Sequence, residues 1–304
     1  GCSTSPAQPA PDAPAPVPKA ESLATETTAP PASPTAPVDR SAYPWIADWT
    51  QDIPTLIPLE ARFPAPAGFS RVEVESGSFG HWLRGLPVRT DRRHVLAYEG
   101  SPLRRPSAAV VFLDVGKRDL QQCADSAIRL HAEYLWHRGL AAKAAYHFTS
   151  GDRSGWAEWR RGERFLIAGS KVKRVNGARR KNDHPTYRGW LTHLFRYAGT
   201  RSLARDSDAV GAAPFEAGDF FVQPGGPGHA VMILDVATHP DGRRAALIGQ
   251  GFMPAEDFHV VSARGGHTID TVWFLLPPGA GSVNTPSWRP FRRSEARRFR
   301  TPGG

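Results

Sequence analysis

Cysteine is nearly absent: the 304 residues hold only Cys2 and Cys123. Two thiols cannot build a disulfide framework or a four-cysteine zinc site. Long apolar runs are also missing. The run from Ala230 to Leu234 is cut by Asp235, far short of the roughly 18 residues of a membrane-spanning helix. Acidic residues are in deficit, 29 against 38 Lys plus Arg, for a net charge of +9. No internal repeat, phosphate loop or His-Glu-x-x-His metal spacing occurs, and no RNA- or DNA-binding motif accompanies the positive charge. Gly and Pro, 29 of each, argue against a helical bundle or a coiled coil.

Residues 1–40 contain ten Pro, nine Ala, nine Ser or Thr and no aromatic residue. Such a segment buries too little apolar surface to offset its ordering entropy and reads as a disordered tether. It begins Gly1-Cys2-Ser3, which resembles the mature end of a bacterial lipoprotein. That resemblance implies a lipid on Cys2, a bilayer as partner, and anchoring at the outer membrane facing the periplasm, with Ser3 fitting the sorting pattern. Cys123 is then a free thiol.

From Tyr43 the composition changes, and residues 41–304 read as one α+β domain. Strand-like runs fall at 71–75, 108–115, 144–148, 219–223, 230–237, 244–250, 257–262 and 268–276; helix-like runs at 119–137, 186–198 and 201–208. Late strands joined by short turns predict an antiparallel meander behind a long helix. Two basic stretches, 171–181 with six basic residues and 287–300 with six Arg and one Glu, are solvated surfaces or attract an anionic envelope polymer.

The long helix carries the first chemical signal. Asp119 fits an N-cap with Gln122 completing a capping box, which puts Cys123 in the first turn, where the helix dipole favours a thiolate. The competing reading is a small buried hydrophobe. The second signal is Gly218-Asp219-Phe220-Phe221-Val222, a Gly/Pro-rich loop, and then His229 opening a strand. The midpoint between 229 and 250 falls in the turn at His239/Pro240, so a simple hairpin makes His229 and Gln250 cross-strand neighbours. A base with an amide behind it is the geometry nucleophilic catalysis needs. Gln122 beside the Cys123 N–H is an oxyanion candidate.

The order Cys, His, polar amide resembles papain-like hydrolases, especially the NlpC/P60 and amidase branch. That implies Cys123 as nucleophile, His229 as base and Gln250 as orienter, with Asp257 or Asp114 as alternatives for the third position. At larger scale Ser78-Phe79, Leu83-Arg84-Gly85-Leu86-Pro87, Asp119 to Asp125, Tyr197 to Leu203, Pro227-Gly228-His229-Ala230, Gln250 to His259 and Thr285-Pro286-Ser287-Trp288 resemble the bacterial envelope family catalogued as domain of unknown function 4846. That resemblance implies an exported, often lipid-anchored protein and no established activity. Where members carry Gln-Ser-Tyr-Met, this chain has Gln250-Gly251-Phe252-Met253.

Two functions of different class follow as expectations. One is a papain-like thiol hydrolase acting on envelope amide bonds, peptidoglycan peptides above all. The other is a non-catalytic lipoprotein binding cell-wall or outer-membrane components. Neither calls for a cofactor, a metal or nucleic acid. The catalytic reading requires Cys123 Sγ about 3–5 Å from a ring nitrogen of His229.

Overall fold

The computed structural model describes residues 37–300 except 170, 264–267 and 287. Cys2 and residues 1–36 of the tether lie outside the described residues, as does Ser287 of the Thr285–Trp288 motif.

Helix and sheet are mixed, and every strand pairing is antiparallel, so the α+β expectation holds. The main elements are α1 (Phe79–Arg84), β1 (Ser107–Val110), α2 (Cys123–His137), β2 (Glu163–Ala168), β3 (Lys171–Asn176), α3 (His184–Leu194), α4 (Thr200–Arg205), β4 (Ser207–Ala209), β5 (Phe220–Gln223), β6 (His229–Thr238), β7 (Arg244–Gln250), β8 (His259–Val261), β9 (Trp273–Leu276) and β10 (Ala296–Phe299). The large sheet runs β4-β10-β5-β6-β7-β8-β1, with β9 added on β7 and Ser70–Arg71 added on the end of β6. The consecutive strands β5 to β8 form the expected meander.

Strand β6 is the centre of the sheet and is buried along nearly its whole length. Successive strand residues point to opposite faces. Ala230, Met232 and Leu234 therefore join the core with Ala127 and Ile128 of α2, while Val231 and Ile233 pack with Phe221, Phe274 and Phe291 on the other face. A strand covered on both sides needs apolar residues in continuous run rather than in alternation, which is how the sequence reads there.

The register differs from the simple hairpin. Thr238 pairs with Arg244, and His239 N–H donates to the Arg243 carbonyl, which centres the turn on Asp241. Further in, the pairing shifts between Ile233 and Asp235. This bulge turns Asp235 toward the helical face, where its buried carboxylate accepts from Arg71 Nε at 2.6 Å and Arg84 Nε at 2.8 Å. The residue that ends the apolar run is thus the anchor of α1 and the Ser70–Arg71 strand.

Helix α2 starts later than expected. Its N-cap is Gln122, whose N–H donates to Asp125 Oδ2 at 3.3 Å. Asp119 is not the cap: its carboxylate accepts from Gln122 Nε2 at 2.9 Å and the Ala255 N–H at 2.7 Å. Cys123 remains in the first turn. The helix ends at His137, followed by Gly139 with φ 68°, a conformation that favours glycine. Its middle carries Arg129, fully buried, bonded to Glu133 at 2.5 Å and Asp114 at 2.7 Å. Glu133 is in turn held by His184 of α3 at 2.8 Å, and His184 reaches Asp48 on its other nitrogen. The helix is therefore fixed to its neighbours by charge as well as by packing.

Helix α1, strand β10 and the β2–β3 hairpin are among the elements not foreseen. Helix α1 is capped by Ser78 Oγ, which accepts from the His81 N–H. The β2–β3 hairpin hides its alternation among charges: Phe165, Ile167 and Val172 turn inward while Leu166, Lys171 and Lys173 point out. Conversely, of 71–75 only Arg71 is in a strand, and 201–208 divides into α4 and β4.

Removing one partner of a buried charge pair costs about 3–5 kcal/mol. Asp235→Ala leaves Arg84 unpaired in the interior, so we expect a loss of that order in chemical denaturation. A loss below about 1 kcal/mol, the value of a surface pair, would show the anchor to be unimportant.

Candidate functional site

The sequence singled out Cys123, His229, Gln250 and Gln122, and the structure joins His229 to Gln250 by a hydrogen bond but joins neither of them to Cys123. Cys123 is the first residue of α2 and is 6% exposed. It lies against the start of β6, with the Ala230 backbone N–H beside its sulfur. Burial pushes the thiol up to about 11; the Asp125 carboxyl adds to the rise and the backbone amides oppose it. The helix dipole does not overcome desolvation here, and the thiol is protonated at neutral pH.

His229 precedes Ala230 and so projects from the opposite face. Its ring packs against Phe252 at 4.7 Å, Trp288 at 5.0 Å and Phe291 at 6.0 Å. Nε2 donates to Gln250 Oε1 at 3.0 Å, while Nδ1 has no hydrogen-bond partner among the described residues. The amide expectation is met: Gln250 does hold His229, although the bulged register makes the two residues diagonal rather than directly opposed. No hydrogen bond joins Cys123 to His229, whose ring contacts are with Phe252, Trp288 and Phe291. Gly228 and Ala230 face α4 and α2, while the His229 ring packs on Trp288 and Phe291.

Behind Gln250 the polar contacts continue. Gln250 Nε2 donates to His259 Nε2 at 3.4 Å, and His259 Nδ1 donates to the Asp257 carbonyl at 3.2 Å. Burial lowers both imidazoles to about 4; the bond to Gln250 opposes this for His229, and Arg105 reinforces it for both. Neighbouring Glu256, bonded to Arg105 at 2.7 Å, is raised to about 7 by burial. The alternative third residues are engaged elsewhere. The Asp257 carboxylate is held by Arg92 at 2.6 Å and by the Leu96 N–H. Asp114 is held by Arg129 and Arg188, which keep it well below the usual carboxylate range against the effect of burial. Gln121 is spent on the same cluster, and Gln122 on Asp119. Among the described residues no group of three or more His, Cys, Asp or Glu side chains is arranged to hold a metal ion.

Two open spaces are relevant. A pocket of about 340 Å³ is lined by Cys123, Gln122, Asp125, Thr200 and the Gly225–Gly228 loop. Close packing explains two glycines in this region. A Cβ on Gly228 would lie 2.4 Å from Thr200 Oγ1 and 2.7 Å from the Gln223 carbonyl, and one on Gly251 would lie 2.5 Å from Ser126 Oγ. A serine at that second place would force Ser126 aside.

The second space, about 620 Å³, lies beside α1 and was not anticipated. Phe79, Tyr134, His131 and Phe299 give it aromatic walls, with His131 stacked on Phe299 at 4.1 Å. Its rim mixes signs: Glu73, Glu75, Glu216 and Asp219 with Arg84, Arg244, Arg298 and Arg300. Arg298 is bound to Asp219 at 2.6 Å and Glu216 at 3.0 Å. Arg244 gives one nitrogen to the Phe215 carbonyl but leaves Nε without a partner among the described residues. In the sequence the Ser78-Phe79 and Leu83-Arg84 motifs, the Gly-Asp phrase before β5 and the Arg-rich stretch 287–300 each supply residues of this region, but nothing brought them together.

Fold and sites together define an α+β protein with a buried free thiol under one face of its sheet and a mixed-charge cleft at its edge. The family described as a domain of unknown function (4846) matches residues 59–298, and the chain belongs to that family. No curated protein and no solved structure matches it.

The lowered histidines set a pH dependence. An imidazole near 4 when folded and 6.5 when unfolded gains its protons first in the unfolded chain, so its stabilising contribution is present above pH 6.5 and is lost as pH falls toward 4. Glu256 acts in the opposite sense, which makes a difference measurement the clean one. His229→Gln retains a donor for Gln250. Relative to that variant, the wild-type chain should lose ~1.4 kcal/mol of stability per pH unit over that window. Parallel pH–stability curves would show that His229 is not buried neutral.

Proposed function

We propose that the chain is a non-catalytic binding protein of the bacterial cell envelope. In this reading it is anchored to the outer membrane through an acylated Cys2, faces the periplasm, and holds cell-wall or outer-membrane material in the cleft beside α1. The observation that supports the choice over catalysis is the burial of Cys123, with no hydrogen bond between it and His229. A thiol with no base and a pKa near 11 is a poor nucleophile. The cleft supplies what binding needs: aromatic walls, carboxylates for amines, and the unpartnered Arg244 Nε for a carboxylate. Peptides carrying both amines and carboxylates, as cell-wall peptides do, suit that mixture.

The thiol hydrolase is the second reading, with a papain-like NlpC/P60-type core, Cys123 as nucleophile, His229 as base, Gln250 as orienter and Gln122 near the oxyanion. One observation favours it: Cys123 forms part of the wall of the 340 Å³ pocket at the start of a 15-residue helix. It requires a ring nitrogen of His229 to come within reach of Cys123 Sγ.

The two readings diverge on one rate. In a Cys2→Ser chain, iodoacetamide should label Cys123 slowly at pH 7 and no differently after His229→Ala. Fast labelling that His229→Ala slows would reverse the choice. For the cleft, a charge-assisted hydrogen bond contributes about 1.5–3 kcal/mol, roughly tenfold to a hundredfold in affinity. Arg244→Met should weaken binding of soluble peptidoglycan fragments by that factor, measured by calorimetry, while Cys123→Ala leaves it unchanged. Equal affinities for wild type and Arg244→Met would remove the cleft from the proposal.

A further inference from the structure

Most of the chain's net charge is gathered in one place. Residues 153–181 hold ten Lys and Arg against Glu158 and Glu163, a net +8 of the total +9. The two acids are already engaged, Glu158 with Arg153 and Arg161, Glu163 with Arg174. Lys171, Lys173, Arg179 and Arg180 are exposed and form no ion pair among the described residues. Leu166 lies in the middle of this charge. It is 60% exposed, the one large hydrophobic side chain so exposed among the described residues, and it stands directly across from Lys173 on the outward face of β2–β3. The inward face of the hairpin packs on the core through Phe165, Ile167 and Val172, so the outward face is held rigidly.

We propose that this outward face docks on an anionic phospholipid surface. Lysines flanking an exposed leucine match the layering of a bilayer edge: the ammonium groups meet phosphates while the leucine enters the acyl boundary. A soluble polyanion accounts for the charge but gives the leucine nothing to enter. The inference rests on the envelope placement above and not on the cleft, so its outcome is separable from that of the peptidoglycan measurement.

The test uses the full chain carrying Cys2→Ser, which removes any anchoring lipid. Co-sedimentation is compared on phosphatidylcholine vesicles and on vesicles mixing phosphatidylcholine with phosphatidylglycerol. We expect binding to the anionic vesicles alone, weakened by salt, and about tenfold weaker after Lys171→Glu with Lys173→Glu. Leu166→Ser should weaken vesicle binding severalfold while leaving binding to polyphosphate unchanged. Circular dichroism confirms that each variant folds, since all three positions are exposed. Equal binding to both vesicle types, or no binding to either, overturns the proposal. So does vesicle binding indifferent to Leu166, which would make the face a docking site for a soluble polyanion.

Discussion

The alternation of side chains along β6 is the constraint on which the rest of the structure depends. Ten residues of one strand are covered on both faces, so each position is assigned to one of two cores with no intermediate choice. Even-numbered residues as far as Leu234 meet α2 and its neighbours; odd-numbered ones meet the aromatic cluster of Phe221, Phe274 and Phe291. His229 falls to the second set.

The bulge at Asp235 modifies the same rule. By adding a residue between Ile233 and Asp235, it turns a carboxylate toward α1 that strict alternation would have placed among Phe274 and Leu276. A buried carboxylate is tolerated because two arginines and a backbone N–H satisfy it. The same principle governs α2, whose buried Arg129 and Glu133 are each satisfied by more than one partner. These clusters account for charged residues in what reads as a helix interior. They also explain why Asp114 and Gln121 are unavailable for chemistry.

Cys123 shows how two physical effects compete at a helix start. The dipole and the nearby amides favour a thiolate, whereas burial and the Asp125 carboxyl oppose it, and burial prevails. A charged group gains little from a helix terminus unless solvent or a counter-charge also reaches it. No imidazole does so here.

The sequence by itself determined much of the architecture. Spacing placed α2 with Cys123 in its first turn, the run from Ala230 marked a doubly buried strand, turn residues closed the β6–β7 hairpin, and the motifs pointed to the family. The pairing of His229 with Gln250 was also legible, because two residues on one face stay on that face when a register moves by two. Only the tertiary structure decided which face that was, since alternation has a period but no sign until neighbours pack on it. It also decided where Asp119 and Gln122 spend their hydrogen bonds. The cleft beside α1 was invisible for the same reason: its walls come from segments far apart in the chain, and no local spacing encodes their meeting.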